Sequence, residues 1–209
     1  MRALWLAVCL WGLAAGWAAA QMFPALYDVA GVAADDVLNL RAEPSAAAQK
    51  RGELAPNAVD AEVLRVSEDG RWGLVAMSES TGWAAMRYLQ RQPGPDWDQS
   101  PTRLACSGTE PFWSAKLDAA KGQVFLDQMD SETLGLWFDW KAEADGRRGV
   151  IGMSLLGPAR VGFATLTGQS CTDGMSDREY GIALTLFLKG VDGSSAGTSG
   201  FSGCCRLAP

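Results

Sequence analysis

Beyond about residue 20, the apolar residues of this chain come in short runs broken by glycine, aspartate and serine. No run has the length and 3.6-residue period of an ordinary helix. The segments Ala33–Asp36, Ala46–Arg51 and Asp118–Gly122 each spell one turn of helix and no more. What remains is strand-length, so the whole chain reads as all-β. At 48% hydrophobic and 20% charged residues it has material for a real core, which excludes wholesale disorder.

A boundary divides these strands into two groups. Gln92-Pro93-Gly94-Pro95-Asp96-Trp97-Asp98-Gln99-Ser100-Pro101 keeps neither a strand nor a helix period, and a linker is placed at 92–103. Before it, in residues 21–91, Val37–Glu43 alternates with Leu38 and Leu40 on one face until Pro44 ends it. Gly52–Pro56 reads as a turn, Ala61–Val66 and Trp72–Ala76 as strands around the Glu68-Asp69-Gly70 hairpin turn, and Thr81–Leu89 as a last strand. Five or so such strands curl into a small barrel. After the linker, in residues 104–209, strands are expected at Trp113–Leu117, Gln123–Gln128, Leu134–Trp140, Gly149–Leu156, Arg160–Thr167 and Ile182–Leu188, with a short one near Phe201–Cys205. Ser194–Gly200 reads as a flexible loop. This spacing suits an antiparallel barrel or sandwich.

The first twenty residues read as a signal peptide. Arg2 opens it, Ala3–Trp17 is nearly unbroken apolar sequence, and Ala18-Ala19-Ala20 offers a small-residue cleavage site. A retained membrane anchor is the competing reading. Leu6-Ala7-Val8-Cys9 faintly resembles a lipobox, but Val8 is too large for the position before the cut. The expected location is therefore periplasmic or otherwise extracytoplasmic, with no stable membrane span after cleavage.

Loss of the leader leaves four cysteines, Cys106, Cys171, Cys204 and Cys205, all in the second half. An even number in an exported chain implies disulfides. Neighbouring cysteines have Cα atoms only about 3.8 Å apart, so Cys204 and Cys205 should not join each other. Adjacent residues of a strand face opposite ways, which sends one to Cys106 and the other to Cys171. We adopt Cys106–Cys205 with Cys171–Cys204, the reverse assignment remaining open. Four thiols holding a soft metal, or a redox-active neighbouring pair, form the alternative, but no C-x-x-C spacing supports it.

Histidine is absent, which removes His-dependent triads, His-ligated metals and an imidazole base. A net charge of −6 argues against a nucleic-acid partner. For acid–base chemistry the candidates are Glu110 and Asp173, a carboxylate pair of the type that hydrolyses glycosidic bonds. The competing reading makes both turn caps. The acidic residues Asp127, Asp130 and Glu132, and Asp177 with Glu179, fit no calcium-loop pattern and read as solvated loops. In Trp137-Phe138-Asp139-Trp140 simple alternation puts Trp137 with Asp139 and Phe138 with Trp140; core packing is expected for the tryptophans, with one of them exposed and stacking on a sugar as the other reading. No metal and no cofactor are expected.

Two resemblances sharpen these readings. Leu38-Asn39-Leu40-Arg41-Ala42-Glu43-Pro44, Gly70-Arg71-Trp72-Gly73-Leu74-Val75 and Thr81-Gly82-Trp83-Ala84 closing on Tyr88-Leu89 resemble, over residues 26–90, the bacterial SH3-like domain of exported proteins. That likeness implies a small barrel that targets the cell wall or binds a protein and is not itself catalytic. Trp72, Trp83 and Tyr88 are then the aromatics of a ligand surface, with core plugs as the other reading for the two tryptophans. In the second half, Cys106-x-Gly108-x-Glu110-Pro111-Phe112-Trp113, Cys171-Thr172-Asp173-Gly174-Met175-Ser176-Asp177 with Tyr180, and Gly203-Cys204-Cys205 resemble an uncharacterised bacterial envelope domain with no established activity. Its usual Tyr-Pro-Tyr stands here as Tyr180-Gly181-Ile182.

The expectation is an exported, non-enzymatic binding or envelope-maintenance protein with cell-wall peptidoglycan or an envelope protein as partner. The alternative is a peptidoglycan hydrolase using Glu110 and Asp173.

Overall fold

The computed structural model describes residues 21–99, 102–129, 131–191 and 197–208. The leader with Cys9, the linker residues Ser100 and Pro101, Asp130, and residues 194–196 of the expected loop lie outside them.

Among the described residues fifteen strands pair antiparallel, in two separate sheets. The first sheet contains β1 (Ala25–Val29), β2 (Leu38–Arg41), β3 (Lys50–Leu54), β4 (Ala61–Val66), β5 (Trp72–Ala76), β6 (Thr81–Ala85) and β7 (Leu89–Arg91), in the order β3-β2-β6-β5-β4-β1-β7. Three expectations are corrected here. Lys50–Leu54 is a strand on β2 and not a turn, with a bulge at Leu40/Arg41 absorbing the irregular register. The same strand takes Lys50 and Arg51 out of the helical turn expected at Ala46–Arg51. The strand expected to continue to Leu89 is broken by a 3₁₀ turn at Met86–Tyr88. The core of this unit is Ala25, Tyr27, Val29, Leu38, Leu40, Ala61, Val63, Val75, Ala84 and Leu89. It is mostly small and aliphatic.

The second sheet closes on itself. Its strands are β8 (Arg103–Thr109), β9 (Phe112–Asp118), β10 (Gln123–Gln128), β11 (Leu134–Glu143), β12 (Val150–Leu156), β13 (Arg160–Thr172), β14 (Glu179–Gly190) and β15 (Ser199–Ala208), forming an eight-stranded barrel. This settles barrel against sandwich. The strand β8, which begins with the linker's last residue and carries the Cys106 motif, is additional to those the alternation marked out. Leu126, Leu136, Met153, Leu155, Ile182, Leu184 and Leu186 are fully buried inside, so the barrel is a packed core and not a channel.

Both disulfides exist with the adopted pairing, Cys106–Cys205 and Cys171–Cys204. Cys106 and Cys205 are direct register partners on β8 and β15 and sit in the barrel core. Cys204 faces the other way, and its bridge passes over β14 to Cys171, just beyond a bulge in β13. Together they close loops of 99 and 33 residues, worth roughly 4 kcal/mol each in the chain-entropy model.

The connecting segment is anchored at its middle. Trp97 is buried against the barrel core and its indole N–H donates to Phe23 O at 3.2 Å. Asp98, fully buried, accepts two bonds from the Arg148 guanidinium (2.7 and 3.2 Å) and one from Gly149 N–H (3.1 Å). Asp96 bridges Arg91 of the first unit and Arg148 of the barrel. Glycine at 181 has a local reason: a Cβ there would stand 2.8 Å from Pro24, so the first unit's leading segment needs that space.

Candidate binding groove

The first unit carries an open groove of about 420 Å³. Its wall is β2 with Asn39 and Arg41, its floor includes Trp72 of β5 and Ala85 of β6, and its far side is Arg87 and Tyr88 of the 3₁₀ turn. The loop Gly31–Val37 closes one end. Tyr88 is held there by its backbone, because Tyr88 O accepts Ala30 N–H at 2.9 Å. The Arg87 guanidinium lies over the Tyr88 ring at 4.6 Å. Arg41 is steadied by a bond from Nη1 to Ala48 O at 2.9 Å. Asp36 accepts its neighbour Val37 N–H at 2.7 Å. The groove thus combines two aromatic side chains with two guanidinium groups and short polar residues. Such a set grips an apolar or ring-shaped group next to a carboxylate.

Of the three suspected aromatics, the structure brings Trp72 and Tyr88 together and places Trp83 elsewhere. Trp83 lies under Arg65 at 5.7 Å, and Arg65 reaches across to Glu179 of the barrel with bonds of 2.5 and 3.2 Å. Neither tryptophan is a core plug: both are half-buried and outside the aliphatic core.

The two carboxylates of the alternative reading belong to the same barrel end, where Thr109 Oγ1 donates to Asp173 O at 3.4 Å. A second groove of about 410 Å³ forms there, lined among others by Thr109, Phe112, Asp127, Met129, Asp173 and Met175. Asp173 is committed to its own turn. Its carboxylate accepts Met175 N–H (3.0 Å), Ser176 N–H (3.2 Å) and the Tyr180 hydroxyl (3.0 Å). Partial burial raises its pKa, but these donors outweigh burial and the net shift is downward. A glycosidase general acid needs the opposite shift. Glu110 is an exposed turn residue ahead of Pro111 and does not line that groove. This arrangement favours the turn-cap reading of Asp173.

Two of the acidic residues expected in solvated loops belong to strands instead: Asp127 of β10 accepts the Thr133 hydroxyl at 2.5 Å, and Glu179, the first residue of β14, takes Arg65 and Ser170. Among the described residues no group of three or more Cys, Asp and Glu side chains could hold a metal ion.

One expectation about the barrel is overturned. A bulge between Phe138 and Trp140 inserts Asp139 as an extra residue, so Trp137 and Trp140 end on the same, outer face while Phe138 packs on the core. Both tryptophans are 48% exposed. Sequence reasoning also passed over Phe163 and Phe187 on that face. The available signal was continuous apolar sequence at Gly162-Phe163-Ala164 and Leu186-Phe187-Leu188, which a strand with one wetted face does not require.

No family model, curated protein or solved structure matches the chain. No described helix is long and apolar enough to cross a membrane.

Proposed function

We propose that this chain is an exported, non-enzymatic binding or envelope-maintenance protein. In this reading the first unit holds a cell-wall peptide or an envelope protein in the Trp72–Tyr88 groove. The observation that carries it is the convergence of two half-exposed aromatics with Arg41 and Arg87 on one groove. The motifs of residues 26–90, which resemble the bacterial SH3-like domain, agree with a binding role. The leader-like sequence of residues 1–20 and the paired cysteines agree with an oxidising, extracytoplasmic location.

The groove chemistry suits the free carboxylates and short side chains of peptidoglycan stem peptides. Its guanidinium groups give no reason to expect nucleic acid, because the protein as a whole is acidic. Co-sedimentation with purified cell-wall sacculi tests the proposal. Binding should weaken about tenfold in Trp72→Ala and in Tyr88→Ala, with no release of soluble muropeptides. Fragment release that disappears in Glu110→Gln would establish the hydrolase reading instead.

A further inference from the structure

The hairpin made by β13 and β14 continues beyond the last pair that β14 forms with β15. After the bulge that follows Gly168, two register pairs remain, Cys171 with Tyr180 and Thr172 with Glu179. Pairing of β14 with β15 stops at Ile182 and Cys205, so among the described residues Glu179–Gly181 has no strand partner on that side. The turn itself is closed by the Asp173 carboxylate, which accepts Met175 N–H and Ser176 N–H. A 3.4 Å bond from the Thr109 hydroxyl to Asp173 O ties this end to β8, and the Cys171–Cys204 bridge ties it to β15.

The same hairpin end carries much of the seam with the first unit. Arg178 donates to Met77 O and lies against Glu62, and Glu179 accepts two bonds from Arg65. Glu62 is gripped a second time from β15, by the N–H of Leu207, shortly after Cys204. Both Glu62 and Arg65 belong to β4. The bridge thus joins the two barrel segments that hold β4, one at each of its sulfurs.

The two disulfides differ in access. Cys106, Cys204 and Cys205 are 3% exposed or less, whereas Cys171 is half-buried between the exposed residues Ser170 and Thr172. Exchange needs a thiolate to reach one of the two sulfurs, so it is fast at an accessible bridge. A bridge inside the barrel core is reached only when the strands around it part, which costs much of the unfolding free energy.

We propose that Cys171–Cys204 is a reducible latch, opened by an external dithiol through exchange at Cys171 while Cys106–Cys205 stays closed. One thiolate of the dithiol attacks Cys171 Sγ, the Sγ–Sγ bond breaks, and its electron pair leaves with Cys204 Sγ, which takes up a proton. The second thiol then displaces Cys171, which leaves and is protonated, and the dithiol closes into a disulfide. With the latch open the hairpin end is no longer fixed to β15, and Arg178 and Glu179 withdraw from β4. The linker contacts of Trp97 with Phe23 and of Asp96 with Arg91 and Arg148 keep the units joined, so the change is confined to the seam. Asp173 and Met175 of the same hairpin end line the second groove, which loosens with it. The latch works whatever the Trp72–Tyr88 groove holds.

Graded reduction of the oxidised protein with dithiothreitol tests this, read by differential alkylation with mass mapping and by amide hydrogen exchange. Thiols at 171 and 204 should appear about tenfold or more faster than those at 106 and 205. Once they appear, exchange should rise in residues 61–66 and 172–180 while residues 151–155 of the barrel core stay protected. Cys171→Ser with Cys204→Ser should show the same raised exchange without reductant, and reoxidation of the reduced parent should reverse it. Simultaneous reduction of both bridges, or earlier reduction of Cys106–Cys205, overturns the proposal. So does unchanged exchange at 61–66 after the latch has opened, for then the bridge does not govern the seam. Loss of protection throughout the barrel also overturns it, because the bridge is then a general staple.

Discussion

The Glu62 carboxylate on β4 accepts the backbone N–H of Leu207 on β15 at 2.9 Å, across 145 residues of sequence. Arg178 of the barrel completes the contact: its Nη2 lies 3.5 Å from Glu62 and its Nη1 donates to Met77 O of the first unit at 2.6 Å. The Arg178 guanidinium also stacks on Tyr180 at 4.8 Å. A buried carboxylate and a mostly buried guanidinium thus clasp the two sheets at this seam.

The clasp gives a signed pH dependence. Burial raises the Glu62 pKa, with the Leu207 N–H, Arg178 and Arg206 only partly offsetting it. The folded state then holds this proton more tightly than the unfolded state, so the group's contribution to stability is greatest below its ordinary value of 4.5 and declines as pH rises through the raised value. Relative to Glu62→Gln, the parent should lose stability between pH 4 and pH 7 in urea unfolding. A constant difference between the two proteins would refute this.

Asp98 should be among the costliest single positions. It is fully buried and satisfies both Arg148 and Gly149 N–H. Asp98→Ala strands the buried Gly149 N–H and leaves Arg148 to Asp96 and solvent, and should destabilise by about 1–3 kcal/mol, read from the denaturation midpoint. Removing an exposed ion pair such as Lys50–Glu53 should cost under about 1 kcal/mol.

Each disulfide should be separable from the other. Cys171→Ser with Cys204→Ser leaves the Cys106–Cys205 bridge intact and should cost about 2–5 kcal/mol. Peptide mapping of unreduced parent protein should return only the 106–205 and 171–204 pairs. Recovery of 106–204 would contradict the fold.

Glycines of the barrel should divide sharply. At Gly203 a Cβ would stand 2.1 Å from Ser107 O and 2.7 Å from the Trp113 indole, so Gly203→Ala must push backbone and should cost more than about 2 kcal/mol. At Gly135 nothing lies within 4 Å, and Gly135→Ala should stay within about 0.5 kcal/mol of the parent in thermal melts.

Local chemistry made much of this protein readable in advance. Period-two runs marked most strands, the proline-rich stretch marked the boundary between the sheets, and two adjacent cysteines on one strand had to face opposite ways and so reach different partners. The groove was partly legible too, since Trp72 and Tyr88 were singled out, whereas Trp83 was drawn off to Arg65 by a contact between the two units. Register and packing decided the rest, because they depend on residues far apart in the chain. Closure of eight strands into a barrel, the extra residue at Asp139 that turns two tryptophans outward, and the burial of Glu62 against Leu207 follow from pairings across tens to hundreds of positions. No short window of sequence contains both partners of such a contact, so only the tertiary structure could fix them.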